Sequence, residues 1–247
     1  MMVDADSFIF VPPPQLASAR RVLIKPVAGY PYPHPVTTSR ETLAAVINGI
    51  RRVSDADIIL LEESRSSEPM HRIYRMLGYD FPRVNMMDVR SCHYVEVENP
   101  LIKPLALPTL WVPNVVLACD YLISVASFKV FADGGSFTLK NLLGLLPSNK
   151  YGGRGTPRKD MLQQLGLSSV VADTYFTLPF DCGIVDARKK FISTDDPTRG
   201  TIEEYGKVFV GEPFEVDREA SAAAGVTSSY LALIEEAKGQ LSAKTLT

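Results

Sequence analysis

The chain has 247 residues, 46% hydrophobic and 22% charged, with 26 basic against 28 acidic side chains and a formal net charge of -2. That balance gives no general field attractive to polyanions and argues against a nucleic-acid partner, though it permits a local basic cleft. The uncharged run from Pro104 to Ala118 is broken by prolines and short of the roughly 20 apolar residues of a spanning helix, so no membrane is expected. Cys92, Cys119 and Cys182, odd in number and far apart, predict no disulfide framework and a reducing, cytoplasmic setting.

Arg21 to Lys25 is a β-branched apolar run stopped by Pro26, which predicts a buried strand with Lys25 at its C-terminal end. A proline-rich loop, Val27 to Val36, leads to Thr38 and Glu41, spaced as a capping box. Behind them Leu43, Val46, Ile47 and Ile50 mark one helical face. Asp57 to Glu62 is the next buried strand, so these segments form a βαβ unit. A helix over Glu68 to Leu77 and strands over Val84–Val89 and Tyr94–Val97 follow, then an irregular stretch from Leu101 to Pro113.

Tyr121 to Ala126 predicts a central strand with Lys129 just past its end. Asp133-Gly134-Gly135-Ser136 turns the chain into a helix over Phe137–Leu146, capped by Ser136. After a glycine-rich flexible stretch, 148–157, short helices are expected over Arg158–Leu165 and Ser168–Leu178. Strands over Phe180–Asp186 and Lys207–Gly211, and helices over Glu215–Ala224 and Ser228–Ala237, complete the chain before a frayed terminus. The pattern predicts a single α/β domain, its mostly parallel or mixed sheet built from βαβ units and covered by helices on both faces.

Leu23-Ile24-Lys25-Pro26, the Pro35–Thr38 turn, Asp120 to Val125 with Lys129, Phe137 to Gly144, and Gly211 to Asp217 stand in the order of the signatures of the domain of unknown function 362 family, which the chain resembles from about Val22 to Gly225. The resemblance implies an α/β fold and little settled biochemistry. Many relatives carry ferredoxin-like iron–sulfur modules, which implies redox work for them and, for this chain, an iron–sulfur electron carrier as a conceivable partner. Two departures stand out: Val27 replaces the usual asparagine after Lys-Pro, and Phe131 replaces a histidine often found beyond the strand-end lysine.

Ligands of open α/β sheets bind beyond the carboxyl ends of the strands. Lys25, Glu62, Lys129 and Asp186 are expected there as a pocket rim. Helix N-termini at Thr37-Thr38 and at Gly135-Ser136 would offer free N–H groups to an anion, with Gly134 and Gly135 permitting close approach. An isolated Gly-Gly-Ser is equally an ordinary turn with a cap. Lys140, one helical turn past Ser136, and Asn141 beside it complete the ligand-binding set, since a buried lysine needs an anionic partner. The functional expectation is a small-molecule enzyme binding a carboxylate or phosphate through Lys25, Lys129 and Lys140, with Asp186 or Glu62 moving a proton. The alternatives are a non-catalytic accessory protein and a carboxylate site with His34 that uses a metal. No GxGxxG, GxSxG, HExxH or P-loop pattern is present to name a cofactor.

Overall fold

The computed structural model describes residues 1–152 and 157–244. In chain order it contains β1 (Met2–Asp4), β2 (Arg21–Pro26), α1 (Arg40–Arg51), β3 (Asp57–Glu62), α2 (Met70–Met76), β4 (Val84–Asp88), β5 (Tyr94–Glu98), β6 (Thr109–Pro113), α3 (Asn114–Leu117), β7 (Tyr121–Phe131) and β8 (Gly134–Ser136). Next come α4 (Thr138–Asn141), a 3-10 turn over Leu142–Leu145, α5 (Ser148–Tyr151), α6 (Arg158–Gln164), α7 (Leu167–Thr177), β9 (Cys182–Ile192), β10 (Thr201–Gly211), α8 (Pro213–Ala224) and α9 (Ser229–Lys244). Part of the expected flexible stretch, 153–156, and the expected frayed end, 245–247, lie outside the described residues.

The main sheet runs β1-β10-β9-β7-β2-β3-β4, with β8 added to β7. Its centre, β9-β7-β2-β3-β4, is parallel, and the outer pairs β9-β10 and β10-β1 are antiparallel. The expected mixed α/β sheet is therefore present. After their first residue β2 and β3 are buried throughout, because helices cover both faces. On one face Val22, Ile24, Ile58 and Leu60 pack with Leu43, Val46, Ile47 and Ile50 of α1. On the other Leu23, Ile59 and Leu61 pack with the 142–145 turn, α7 and α9.

Several expectations are corrected. Residues 101–113 are not wholly irregular: β6 pairs with β5 in a separate two-stranded sheet, its buried Leu110 and Val112 alternation hidden between prolines. Lys129 and Asp186 do not stand past strand ends, because β7 and β9 run on to Phe131 and Ile192. The charged Arg188, Lys189 and Lys190 read as loop in sequence, yet pairing with β10 holds them extended. The cap of α1 is Ser39, which accepts from Thr42 N at 3.1 Å, and not the Thr38–Glu41 box. Ser136 belongs to β8 and caps nothing.

The N-terminus of α4 is instead met by Asp217 of α8. Thr138 N and Leu139 N donate to its carboxylate at 2.8 and 3.0 Å, and Tyr230 Oη at 2.8 Å. Burial still lifts this carboxyl to a pKa of about 6 against those hydrogen bonds. Asp217→Ala leaves three buried donors without an acceptor, so urea unfolding is expected to show a loss of about 2–5 kcal/mol. A loss within a few tenths of that scale's zero would mean the network contributes nothing.

Candidate functional site

Strand β2 lies where the sheet order reverses: β3 and β4 follow to one side, β7 and β9 stand on the other. Such a switch point opens a crevice beyond the carboxyl ends of its strands. Here β7 pairs with β2 only as far as Val125 opposite Pro26. The rest of β7 overhangs as a wall, and the loop after β2 folds over the space it leaves. Along that overhang Val125, Ser127 and Lys129 point to one face, the alternation of a strand.

Lys25 is the penultimate residue of β2 and is wholly buried. Its Nζ donates to Glu62 Oε2 at 2.8 Å, Asn141 Oδ1 at 2.9 Å and Pro26 O at 3.0 Å, which uses all its hydrogens. Glu62 also accepts from Ala28 N and Glu63 N, so both oxygens are engaged. Asn141 Nδ2 returns to Lys25 O and Ser124 Oγ. Over this knot lies Gly144, where a Cβ would sit 2.7 Å from Lys25 Nζ and 2.9 Å from Glu62 Oε1. Burial lowers the Lys25 pKa to about 8 against the pull of Glu62, while Lys25 and Arg65 hold Glu62 below its ordinary value despite burial. Lys25, Glu62 and Asn141 form a sealed structural network, with no hydrogen left for a ligand.

Lys129 differs. It is buried, yet has no carboxylate within 4 Å among the described residues; its Nζ donates to Val36 O, across the overhang, and lies 5.6 Å from the centre of the Phe191 ring. Burial, with the positive charge of Arg65, lowers its pKa to about 7, against the opposing attraction of Glu62. Arg65 follows β3, packs against Gly29 and is exposed. Its guanidinium makes no hydrogen bond or ion pair among the described residues. Behind it, Arg158 pairs with Glu63, which also accepts from Ser148.

Asp186 is buried in β9, opposite Ser127, at a register shift that inserts residues 187–189 into β9. It accepts from Ser39 N at 2.8 Å, filling the N-terminus of α1, and lies 3.8 Å from Arg188 Nε. His34 Nδ1 stands 3.6 Å from its Oδ2 and 3.2 Å from Thr37 O. A carbonyl only accepts, so Nδ1 carries the proton and Nε2 the lone pair. That Nε2, and Ser127 Oγ, are buried without a partner among the described residues. Burial lowers the His34 pKa although Asp186 raises it.

The remaining expected ligands are placed elsewhere or otherwise occupied. Thr37 Oγ1 donates to Tyr32 O and Thr38 Oγ1 to Val125 O. Lys140 points away from Lys25, pairs with Asp133 at 2.9 Å and lines a separate cavity of about 300 Å³ with Gly135, Ser168, Ser229 and Tyr230; neighbours on a helix diverge by about 100°, so Asn141 and Lys140 serve different sites. Gly134, at φ 109°, approaches Thr227 O, and a Cβ on Gly135 would overlap the Phe137 ring. The close approach they permit is to their own chain. Both helix N-termini expected to receive an anion are filled by carboxylates of the protein, Asp186 and Asp217.

Sequence reasoning missed Arg65, Ser127, Glu63 and Arg158. Ser127 had a signal, being two residues from Lys129 in an alternating strand; Arg65 had none. No group of three side chains suited to a metal ion is assembled among the described residues, nor is any helix there long and apolar enough to cross a membrane. All three cysteines are free.

A sequence profile described as a domain of unknown function, DUF362, matches residues 22–222. The chain belongs to the DUF362 family. Among solved structures, this DUF362 chain is similar to the lactate racemase apoprotein from Thermoanaerobacterium thermosaccharolyticum, with a TM-score of 0.54 and 14% identity, over 88% of this chain and 52% of that one. It therefore spans about half the length of that protein, and the likeness is one of fold. No curated protein matches this DUF362 chain.

The network and the lone lysine make separable predictions. Lys25→Met strands a buried Glu62 and is expected to cost about 3–5 kcal/mol in urea unfolding. Lys25→Met/Glu62→Leu should recover only part, since Ala28 N and Glu63 N still lose their acceptor; full additivity of the two losses would refute the pairing. For Lys129, the folded protein binds fewer protons than the unfolded chain between about pH 7 and the ordinary lysine value of 10.5. Its contribution to stability therefore rises with pH across that window. Urea midpoints should climb from pH 7 to pH 9 in the wild type and climb less in Lys129→Met; parallel profiles would refute the assignment.

Proposed function

We propose that this chain is a small-molecule enzyme that takes an anionic ligand, a carboxylate or phosphate, at the crest of β2, β3 and β7. The observation that carries the reading is the Arg65 guanidinium, which has no partner among the described residues, near Lys129, a buried lysine with no carboxylate within 4 Å among them, at the switch point of the sheet. Arg65 presents a planar donor fork suited to two anionic oxygens. A ligand anion placed between the two would supply the missing counter-charge to both.

The proton-transfer candidate in this reading is His34 rather than Glu62 or Asp186. Glu62 has both oxygens engaged by Lys25 and two backbone N–H groups. Thr37 O holds the ring in its Nδ1–H form, and Asp186, 3.6 Å from Nδ1, stabilises the cation that forms when Nε2 takes a proton. The lactate racemase apoprotein is named for a small carboxylate, which agrees in size and charge with the ligand class proposed, although the likeness itself extends to fold alone.

Thermal unfolding with inorganic phosphate, pyruvate and L-lactate as probes tests the reading. At least one probe is expected to raise Tm in the wild type. The rise should vanish in Arg65→Ala and Lys129→Met and persist in Lys140→Met. An undiminished response in Arg65→Ala, or none to any probe in the wild type, would sink it.

A further inference from the structure

Buried lysines are rare, and when found they are paired. Two are present at this crest, and they differ in a way that charge balance alone does not require. Lys25 meets that expectation, held against Glu62 and Asn141 with every hydrogen used. Lys129, four residues past the last β7 pairing with β2, has a single backbone acceptor and no carboxylate within 4 Å among the described residues. An unpaired ammonium in such a place is costly, so the side chain is driven toward its neutral form, and a neutral amine is a nucleophile.

We infer that Lys129 is a covalent site, forming an imine with the carbonyl of a small 2-oxo acid whose carboxylate is held by Arg65. This rests on the anion site proposed above and adds the bond. The Nζ lone pair attacks the carbonyl carbon and a C–N bond forms. The carbonyl oxygen, with two protons whose loss from nitrogen balances the step, leaves as water. No oxidant or reductant is needed. The surroundings suit each stage: Ser127 Oγ, buried and unpartnered on the same face of β7, is placed to hydrogen-bond the departing oxygen. The free Nε2 of His34 belongs to the same 33–37 turn that supplies Val36 O, and can carry protons. When the imine is protonated, the Phe191 ring lies beside its positive charge, as it lies beside Nζ at 5.6 Å in this structure.

The test is reductive trapping of the full chain with pyruvate and cyanoborohydride at neutral pH, followed by peptide mass mapping. One adduct is expected, on the peptide containing Lys129. It should form at least about tenfold faster than on the exposed Lys103 or Lys159, as expected of a bound ligand rather than random encounter. Arg65→Ala should slow labelling about tenfold or more, and Lys129→Met should abolish it. Labelling spread over exposed lysines, or none at Lys129, overturns the inference, and wild-type mapping gives that answer even where the methionine variant does not fold. The two readings separate cleanly. Stabilisation by pyruvate without trapping removes the imine and keeps the anion site, whereas an undiminished response in Arg65→Ala removes the anion site itself.

Discussion

The Lys25–Glu62 pair fixes the geometry of everything at the crest. It ties the ends of two adjacent parallel strands to each other, and Asn141 ties Lys25 to α4 and to Ser124 of β7. Two charges withdrawn from water gain from each other only when the remaining hydrogens and lone pairs are also satisfied, and here they are. Gly144 allows the backbone to close over the pair without a gap. With that corner locked, the overhang of β7 and the loop from β2 to α1 have a fixed base, across which Lys129 donates to Val36 O.

The same economy recurs at the helix ends. A buried helix N-terminus must find acceptors for its free N–H groups, and this protein supplies them from its own chain. Asp186 reaches Ser39 at the start of α1, and Asp217 reaches Thr138 and Leu139 at the start of α4. Positive ends that look open in sequence are therefore closed. Among the described residues, the Arg65 guanidinium, the His34 Nε2 and the Ser127 hydroxyl are left without partners, and Lys129 has only a backbone acceptor.

The fold was largely legible. Apolar runs at 21–26 and 57–62 could only be strands buried on two faces, and the spacing of Leu43, Val46, Ile47 and Ile50 could only be a helix packed on them. The strands that escaped notice were those whose pairing supplies what composition does not. The polar ends of β9 and β10 hold each other in an antiparallel ribbon, and β6 is held by β5 within a proline-rich stretch. In the candidate site the lysines at 25 and 129 and the acids at 62 and 186 were picked out by expected strand ends, which holds for 25 and 62 but not for 129 and 186.

By itself the sequence determined the α/β class and the membership signatures, because hydrophobic period and turn chemistry are local properties. Only the tertiary structure decided which charges cancel. Lys25 and Glu62 are 37 positions apart, Lys129 and Val36 are 93 apart, and Asp186 and Ser39 are 147 apart. Pairing over such separations is set by strand order and by how far β7 outruns β2. A lysine's role, sealed in a network or left without a counter-charge, is therefore a property of the assembled sheet and not of the residues around it in the chain.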